Sequence, residues 1–424
     1  MDIYIILIML VAMLASLLAV RWIFFKILKI AKEKNLVDNP DARKLQKNPV
    51  PLVGGIAVFF GVIFGILVSM SAFFLCEHCF SVSFSHFSPV YLLPVFLAMS
   101  AMLYAGAIDD ILGLTPTARF VIEILVIVGV VLASGVCIDS LHGLWGVSDF
   151  SWWIALPLTV FAGVGVVNSI NMVDGVNGLS SGLCVQCCLL FGAVFMAVGD
   201  YANSLLAFSM AASLLPFFVH NVFGNTSRMF IGDAGTMVMG MLMTWFVISA
   251  MNSSTPLASY SDSYSIVGLV LAVLSVPVAD TLRVMTMRML RGKSPFSPDR
   301  THLHHAFVAI GVSHSITALS EMCINLSVVA IWFVSALLGA SKQCQFYIVV
   351  VVAAVLVWGT YFFLVHERSS NSRIACWLRN FSPKTHFGSQ EWWQRISFFL
   401  DSPEYDERER RNLRERLNRK FGNH

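Results

Sequence analysis

The sequence predicts an all-α, polytopic membrane protein with about eleven transmembrane helices, on three observations. Apolar residues make up 57% of the 424 residues and charged ones only 12%, against roughly 25% charged in an ordinary soluble domain, and the mean hydropathy is +0.74. The apolar residues fall into runs near the ~20 residues that a spanning helix needs. Lysine and arginine are concentrated in alternate connections, the bias that sets orientation in a bilayer.

Taken in order, the first run (3–25) is followed by lysines and has no small-residue cleavage site, so it reads as a retained helix and not as a signal peptide. The connection after it carries Lys26, Lys29, Lys32, Lys34, Arg43, Lys44 and Lys47. The second run (52–75) leads to a loop, 76–88, in which Cys76 and Cys79 flank Glu77-His78. A lone CxxC is a weak sign of a metal or disulfide, and Cys184, Cys187, Cys188 and Cys323 read as small buried hydrophobes. The third run (89–108) ends at Asp109-Asp110, and the fourth (117–136) contains Glu123, expected to point into the bundle. The fifth (151–167) ends at the polar stretch from Asn168 to Gly178. The sixth and seventh (180–198, 202–220) lead to Phe230–Gly235, where the eighth (235–251) begins. The ninth (264–284) holds Asp280 beside Pro277 and leads through Arg288, Arg291, Lys293 and Arg300 to His302, His304 and His305; the tenth and eleventh are 316–339 and 344–365.

Loops 76–88, 137–150 and 252–263 contain no Lys or Arg, with Lys342 the exception to the pattern. The N-terminus is therefore expected outside and the C-terminus in the cytoplasm. All four polar stretches then fall on the cytoplasmic side, as one shared site would require. Residues 1–366 form the membrane domain and 367–424 a cytoplasmic tail. In the tail Trp377, Trp392, Trp393, Phe398 and Phe399 mix with basic residues, as in a segment lying on a membrane surface. The stretch 404–420 alternates in charge like a solvated helix, and the tail reads either as a plain exposed one or as a partner-binding segment.

Ionisable groups at membrane depth mark function by default. Adjacent Asp109 and Asp110 repel, and keeping both ionised calls for a cation or proton between them. Asn168, Asn171 and Asp174 lie three apart, on one face of a helical turn. Asp233 sits between Gly232 and Gly235, ahead of a helix. Carboxylate and amide oxygens suit a hard cation such as magnesium, which typically uses one or two carboxylates plus substrate phosphates. The histidines lack the partners of a zinc site, and with the arginines they fit phosphate oxygens better. Acids for magnesium opposite cations for phosphate describe a nucleoside diphosphate site. No nucleic-acid partner is expected.

In order along the chain stand Asp38-Asn39-Pro40, Arg43-Lys44, Pro51-Leu52-Val53-Gly54-Gly55, Asp109-Asp110, Asn168-x-x-Asn171-x-x-Asp174-Gly175, Phe230-x-Gly232-Asp233-x-Gly235, and the stretch from Ser294 to His305. Over roughly residues 36–312 this set resembles the polyprenyl-phosphate N-acetylhexosamine-1-phosphate transferases, and most closely their bacterial UDP-N-acetylglucosamine:undecaprenyl-phosphate branch. The resemblance implies eleven helices and an active site on the cytoplasmic face of the bacterial inner membrane. It implies transfer of a sugar-1-phosphate from a UDP-sugar to undecaprenyl phosphate with release of UMP, and magnesium (or manganese) as cofactor, with a homodimer left open. The product would start a lipid-linked glycan such as O-antigen or common antigen.

Carried over by motif, Asn171 and Asp233 would be metal ligands and Asp109, Asp110 and Asp174 the catalytic acids. Phe230 would stack on uracil and Asn177 bond its edge. Lys44, Asn168, Arg300, His302, His304 and His305 would hold the phosphates, sugar or lipid head. The resemblance makes Asp109 a candidate base, but a phosphate monoester has a second pKa of about 6, so the lipid phosphate is already largely dianionic. Direct attack by that phosphate is therefore preferred, with a phospho-aspartate route as the alternative.

Asn177 replaces the Asp of many bacterial relatives, and Gln46 stands where many have His. His302-Leu303-His304-His305 follows the N-acetylglucosamine branch, since the branch using UDP-muramoyl-pentapeptide usually has three consecutive histidines. N-acetylgalactosamine, N-acetylfucosamine, diamino-sugar and muramoyl-pentapeptide donors stay open as alternatives. A transporter would want ionisable groups near the bilayer midplane and repeated halves, and this sequence shows neither.

Overall fold

The computed structural model describes residues 3–38, 49–80, 92–295, 300–370, 372–405 and 407–421. Lys44, with Arg43 and Gln46, lies outside the described residues, and so do the side chains of Cys76 and Cys79.

Among the described residues the architecture is all-helical apart from two short antiparallel strand pairs. In chain order α1 (Ile3–Glu33) is followed by β1 (Val37–Asp38) and β2 (Val50–Pro51), then α2 (Gly54–Phe80), α3 (Leu93–Leu112), α4 (Pro116–Ser134), β3 (Ser140–Leu144) and β4 (Val147–Asp149). Then come α5 (Trp152–Met172), α6 (Leu179–Ala197), α7 (Tyr201–Phe223), α8 (Gly232–Met251), α9 (Ile266–Val273), α10 (Ser275–Leu290), α11 (Leu303–Ala309) and α12 (His314–Leu337). A last span combines α13 (Lys342–Ala353), a π-helical turn and α14 (Thr360–Ser369), and the tail holds α15 (Arg373–Phe381), α16 (Glu391–Asp401) and α17 (Glu407–Phe421). Among the described residues ten helices are long and apolar enough to cross a membrane, and the bent pair α9–α10 makes an eleventh. The chain is a multi-pass membrane protein.

Helix ends are set by local chemistry. Thr115 accepts a hydrogen bond from Ala118 N–H (3.2 Å) and Pro116 starts α4, while Asp200 caps α7 through Asn203 N–H (3.2 Å). α8 is the axis of the bundle: its membrane-length window is wholly buried inside the protein. It lies against α3, α5 and α2. Close approach to α3 depends on Gly106, where a Cβ would stand 2.4 Å from Ala234 Cα.

Three boundaries differ from the sequence expectation. α3 runs on to Leu112, so Asp109 and Asp110 occupy its last turn, and α5 runs to Met172, taking in Asn168 and Asn171. The expected ninth span is not one rod, because α9 and α10 meet at 80°. Pro277 has no N–H to give the Val273 carbonyl four residues back, which breaks the ladder there. Asn325 on α12 repairs the break, with Nδ2 donating to Val273 O (3.0 Å) and Oδ1 accepting from Val276 N–H (3.1 Å). Unsatisfied backbone is costly in a bilayer, so one side chain stabilises the bend. The tail also differs from a plain exposed one, since α16 packs on α7.

Candidate active site

The segments 51–55 and 230–231 are far apart in sequence and bonded in space. Phe230 N–H donates to Pro51 O (2.8 Å), Gly54 N–H to Phe230 O (3.0 Å) and Gly55 N–H to Ile231 O (2.9 Å). This pairing fixes the entry to α8. Asp110 then aims its first turn, accepting the N–H groups of Asp233 (2.8 Å) and Ala234 (3.1 Å). Four orphan N–H groups at a helix start need such partners, and a carboxylate there also meets the positive end of the helix dipole.

Asp109 caps the turn after α3, accepting Leu114 N–H at 2.7 Å. Its other oxygen faces Arg119, whose guanidinium reaches Asp233 (3.0 Å), Asp109 (3.5 Å) and Glu123 (3.2 Å). Asn171 donates from Nδ2 to Asp233 (2.6 Å) and Thr236 (2.7 Å), and among the described residues its amide oxygen has no hydrogen-bond partner. Asp174 accepts from Ser180 Oγ at 2.6 Å. It opens onto the cavity while protein surrounds it at longer range, and desolvation pushes its carboxyl up to about 6, against the Ser180 hydrogen bond.

The histidine stretch is held by Asp280 on α10. Its carboxylate accepts from Arg283 (2.7 and 3.1 Å) and from Leu303 N–H (3.2 Å), and it meets His302 Nδ1 at 2.8 Å. Arg283 in turn lies 3.5 Å over the Tyr361 ring. His302 and His304 are parallel and 5.7 Å apart, with His305 4.3 Å beyond His304. His304 is 1% exposed. Burial first, then its neighbouring imidazoles, hold it well below the usual histidine range. Its ring lies against Gly175, where a Cβ would stand 2.0 Å from Nε2, so the Asp174-Gly175 turn needs glycine at that point.

These elements meet at one cavity of ≈ 1130 Å³. Of the residues singled out from sequence, Asp109, Asp110, Asn171, Asp174, Asn177, Phe230, Asp233 and His305 line it. Asn168, His302, His304 and Arg300 are not on its wall. Asn168 bonds Glu123 Oε2 (2.5 Å) and Val164 O (2.9 Å) behind it, His302 and His304 are buried, and Arg300 is exposed.

Two cations near the site, Arg119 and Arg228, lie outside the sequence motifs. Arg119 could have been found from Glu123, four residues on and so on the same helix face. Arg228 lines the cavity with its Nε lacking a partner among the described residues, and burial lowers its guanidinium pKa against the pull of Asp401. It sits in a loop with no periodicity to flag it.

The sequence profile of glycosyl transferase family 4 matches residues 92–251, the stretch that carries Asp109, Asn171 and Asp233. An undecaprenyl-phosphate alpha-N-acetylglucosaminyl 1-phosphate transferase of Yersinia pestis is 30% identical over 295 residues, 67% of this chain and 72% of that protein. Its namesake in Escherichia coli strain K12 is 30% identical over 298 residues with the same coverage. A probable undecaprenyl-phosphate N-acetylglucosaminyl 1-phosphate transferase of Bacillus subtilis is 28% identical over 310 residues, 73% of this chain and 80% of that protein. With the helical architecture and the acidic cavity, these matches establish that the chain belongs to glycosyl transferase family 4 and is one of its membrane-embedded sugar-1-phosphate transferases.

Proposed function

We propose that the protein transfers N-acetylglucosamine-1-phosphate from UDP-N-acetylglucosamine to undecaprenyl phosphate, releasing UMP and starting a lipid-linked glycan. The observation that carries the reading is convergence: four polar stretches separated by apolar helices contribute Asp109, Asn171, Asn177, Asp233 and His305 to one cavity. The Lys and Arg distribution supports a cytoplasmic mouth in the inner membrane, with 1–366 as the catalytic domain and 367–424 as its tail.

The donor set fits magnesium. Among the described residues no three His, Cys, Asp or Glu side chains converge as a self-sufficient metal cage. Asp109 and Asp233 do face one guanidinium, which marks the point between them as a place for positive charge. One or two carboxylates completed by substrate phosphates is magnesium's usual arrangement. Asp233, Asn171 and Asp109 would hold the ion, or manganese in its place. When bound it would neutralise charge on the transferring phosphoryl group.

The chain's own residues account for the remaining roles. Phe230 offers a face for uracil and Asn177 an amide for its edge. Arg228 and His305, on the cavity wall, supply positive or donor groups for the diphosphate, while Arg119 holds the carboxylates of Asp109 and Asp233. A phosphate oxygen of the lipid attacks the sugar-bearing phosphorus, and the bond from that phosphorus to the oxygen bridging to UMP breaks. Because the attacking phosphate is already largely dianionic, Asp109 and Asp110 serve positioning. Asp110 does so through the backbone of α8.

The test is UMP release by purified protein with undecaprenyl phosphate and magnesium. UDP-N-acetylglucosamine, UDP-N-acetylgalactosamine and UDP-muramoyl-pentapeptide are offered separately. Release with the first alone is expected. Release with another donor alone overturns the sugar, and release with none overturns the reaction.

A further inference from the structure

The segment 382–405 contributes residues 386–389 and Trp393 to the cavity wall and is fastened at both ends. At one end Ser313 N–H donates to Thr385 Oγ1 (3.0 Å), Ser313 Oγ donates to Thr385 O (2.6 Å), and His386 Nε2 meets Gly311 O at 3.0 Å. At the other, Asp401 is 2% exposed. It accepts the N–H groups of Asn225 (3.1 Å), Thr226 (3.2 Å) and Ser227 (3.0 Å) and the Ser227 hydroxyl (2.6 Å). Lys32 on α1 joins Glu404 (2.8 Å) and the Thr226 carbonyl (2.7 Å) beside that anchor. A carboxylate buried against three backbone amides is a strong, geometrically exacting joint, not the contact of a loose tail.

Between the anchors Phe387 and Trp393 line the cavity, as does His386 of the first anchor. Trp393 is seated on Phe223, ring centroids 4.6 Å apart, and Phe387 lies 6.3 Å from Trp393 with the planes near parallel. The anchors also choose a side. Ser313 adjoins His314, whose Nδ1 accepts Asn177 N–H at 3.5 Å. The loop clamped by Asp401 runs directly into Arg228 and Phe230. Among the described residues no hydrogen bond or ion pair links the segment to Asp109 or Asp110, which are held by Leu114, Arg119, Asp233 and Ala234.

We propose that segment 382–405 is a strap that closes the nucleotide side of the cavity and sets affinity for the nucleoside diphosphate portion of the donor. This rests on the transferase reading above. Flat rings on the cavity wall suit a nucleobase or its sugar, and holding Phe230 and Arg228 in place fixes their share of the same ligand. The contact is made equally in ground and transition states, so its loss raises KM without lowering kcat.

Asp401→Ala releases one end of the strap and Phe387→Ala removes a ring without touching the anchors, which keeps the test open should the first variant fold poorly. Each is compared with wild type for the Kd of UDP with magnesium by calorimetry, and for both KM values by UMP release. The expected result is a rise of roughly tenfold in the UDP Kd and the donor KM, with kcat and the undecaprenyl phosphate KM changed by less than about threefold. Unchanged UDP affinity in both folded variants overturns the strap, as does a rise in the lipid KM in place of the donor's. If wild type binds UDP but releases UMP from no donor, the transferase reading falls, while the ratio of UDP affinities still decides the strap.

Discussion

Asp110 and Asp233, on different helices, are joined through backbone: the Asp110 carboxylate takes the N–H of Asp233 at 2.8 Å and that of Ala234 at 3.1 Å. The Asp233 side chain is thereby turned toward Arg119 and Asn171. Replacing Asp110 by Ala leaves two amides of α8 without partners and should lower stability by about 1–2 kcal/mol. A small misplacement of Asp233 should cost roughly 100-fold in kcat/KM. Asp110→Asn keeps one acceptor oxygen and should fall between. Unfolding midpoints and UMP release together check this.

Arg119 balances three carboxylates, those of Asp109, Glu123 and Asp233. Arg119→Ala removes that balance. Breaking a buried pair costs about 3–5 kcal/mol, and because the Asp233 side chain is 35% exposed the loss should be at or below the lower end. Added magnesium should raise the melting temperature of Arg119→Ala more than that of wild type, since it restores positive charge among the acids. Equal magnesium effects in a thermal shift titration would count against this view of the site.

Gly175→Ala places a methyl group 2.0 Å from His304 Nε2. The imidazole is buried and has nowhere to retreat, so overpacking should cost about 1–3 kcal/mol and displace the Asp174 turn. Activity should fall more steeply than membrane expression, measured by UMP release per milligram of inserted protein.

The depressed His304 pKa makes stability depend on pH in a definite direction. Unfolded, the imidazole takes a proton near 6.5, whereas folded it resists protonation to well below that value. Its contribution is fully present above pH ~6.5 and is lost as pH falls toward the folded value. The unfolding midpoint should therefore drop from pH 7 to pH 5, and His304→Gln should flatten that slope. Parallel slopes for the two proteins would show that other groups control the acid limit.

Much of this architecture is legible in the sequence because a bilayer prices residues plainly: apolar runs become spans, and acids at their ends are rarely accidental. The grouping of Asp109, Asn171, Asp233 and His305 at one cavity follows from alternation of spans. Other features depend on contacts between distant segments. Arg119 gains meaning only when α8 brings Asp233 to it. The bend before α10 needed Pro277 to be weighed against Val273 and Asn325, which lie on different helices. Asp401 carries no motif, and its partners are 174 to 176 residues away. His302 and His304 share a motif with His305, yet packing on Asp280 and Gly175 places them behind the wall.

α8 begins at the site, and its membrane-length window is covered by its neighbours throughout. The helix that carries Asp233 therefore takes its depth and tilt from protein walls and not from acyl chains. Bilayers of different thickness would press on the outer helices, such as α4, before any strain reached the axis. The chemistry should accordingly tolerate lipids of differing chain length, with the enzyme acting as its own ruler within a membrane whose thickness varies.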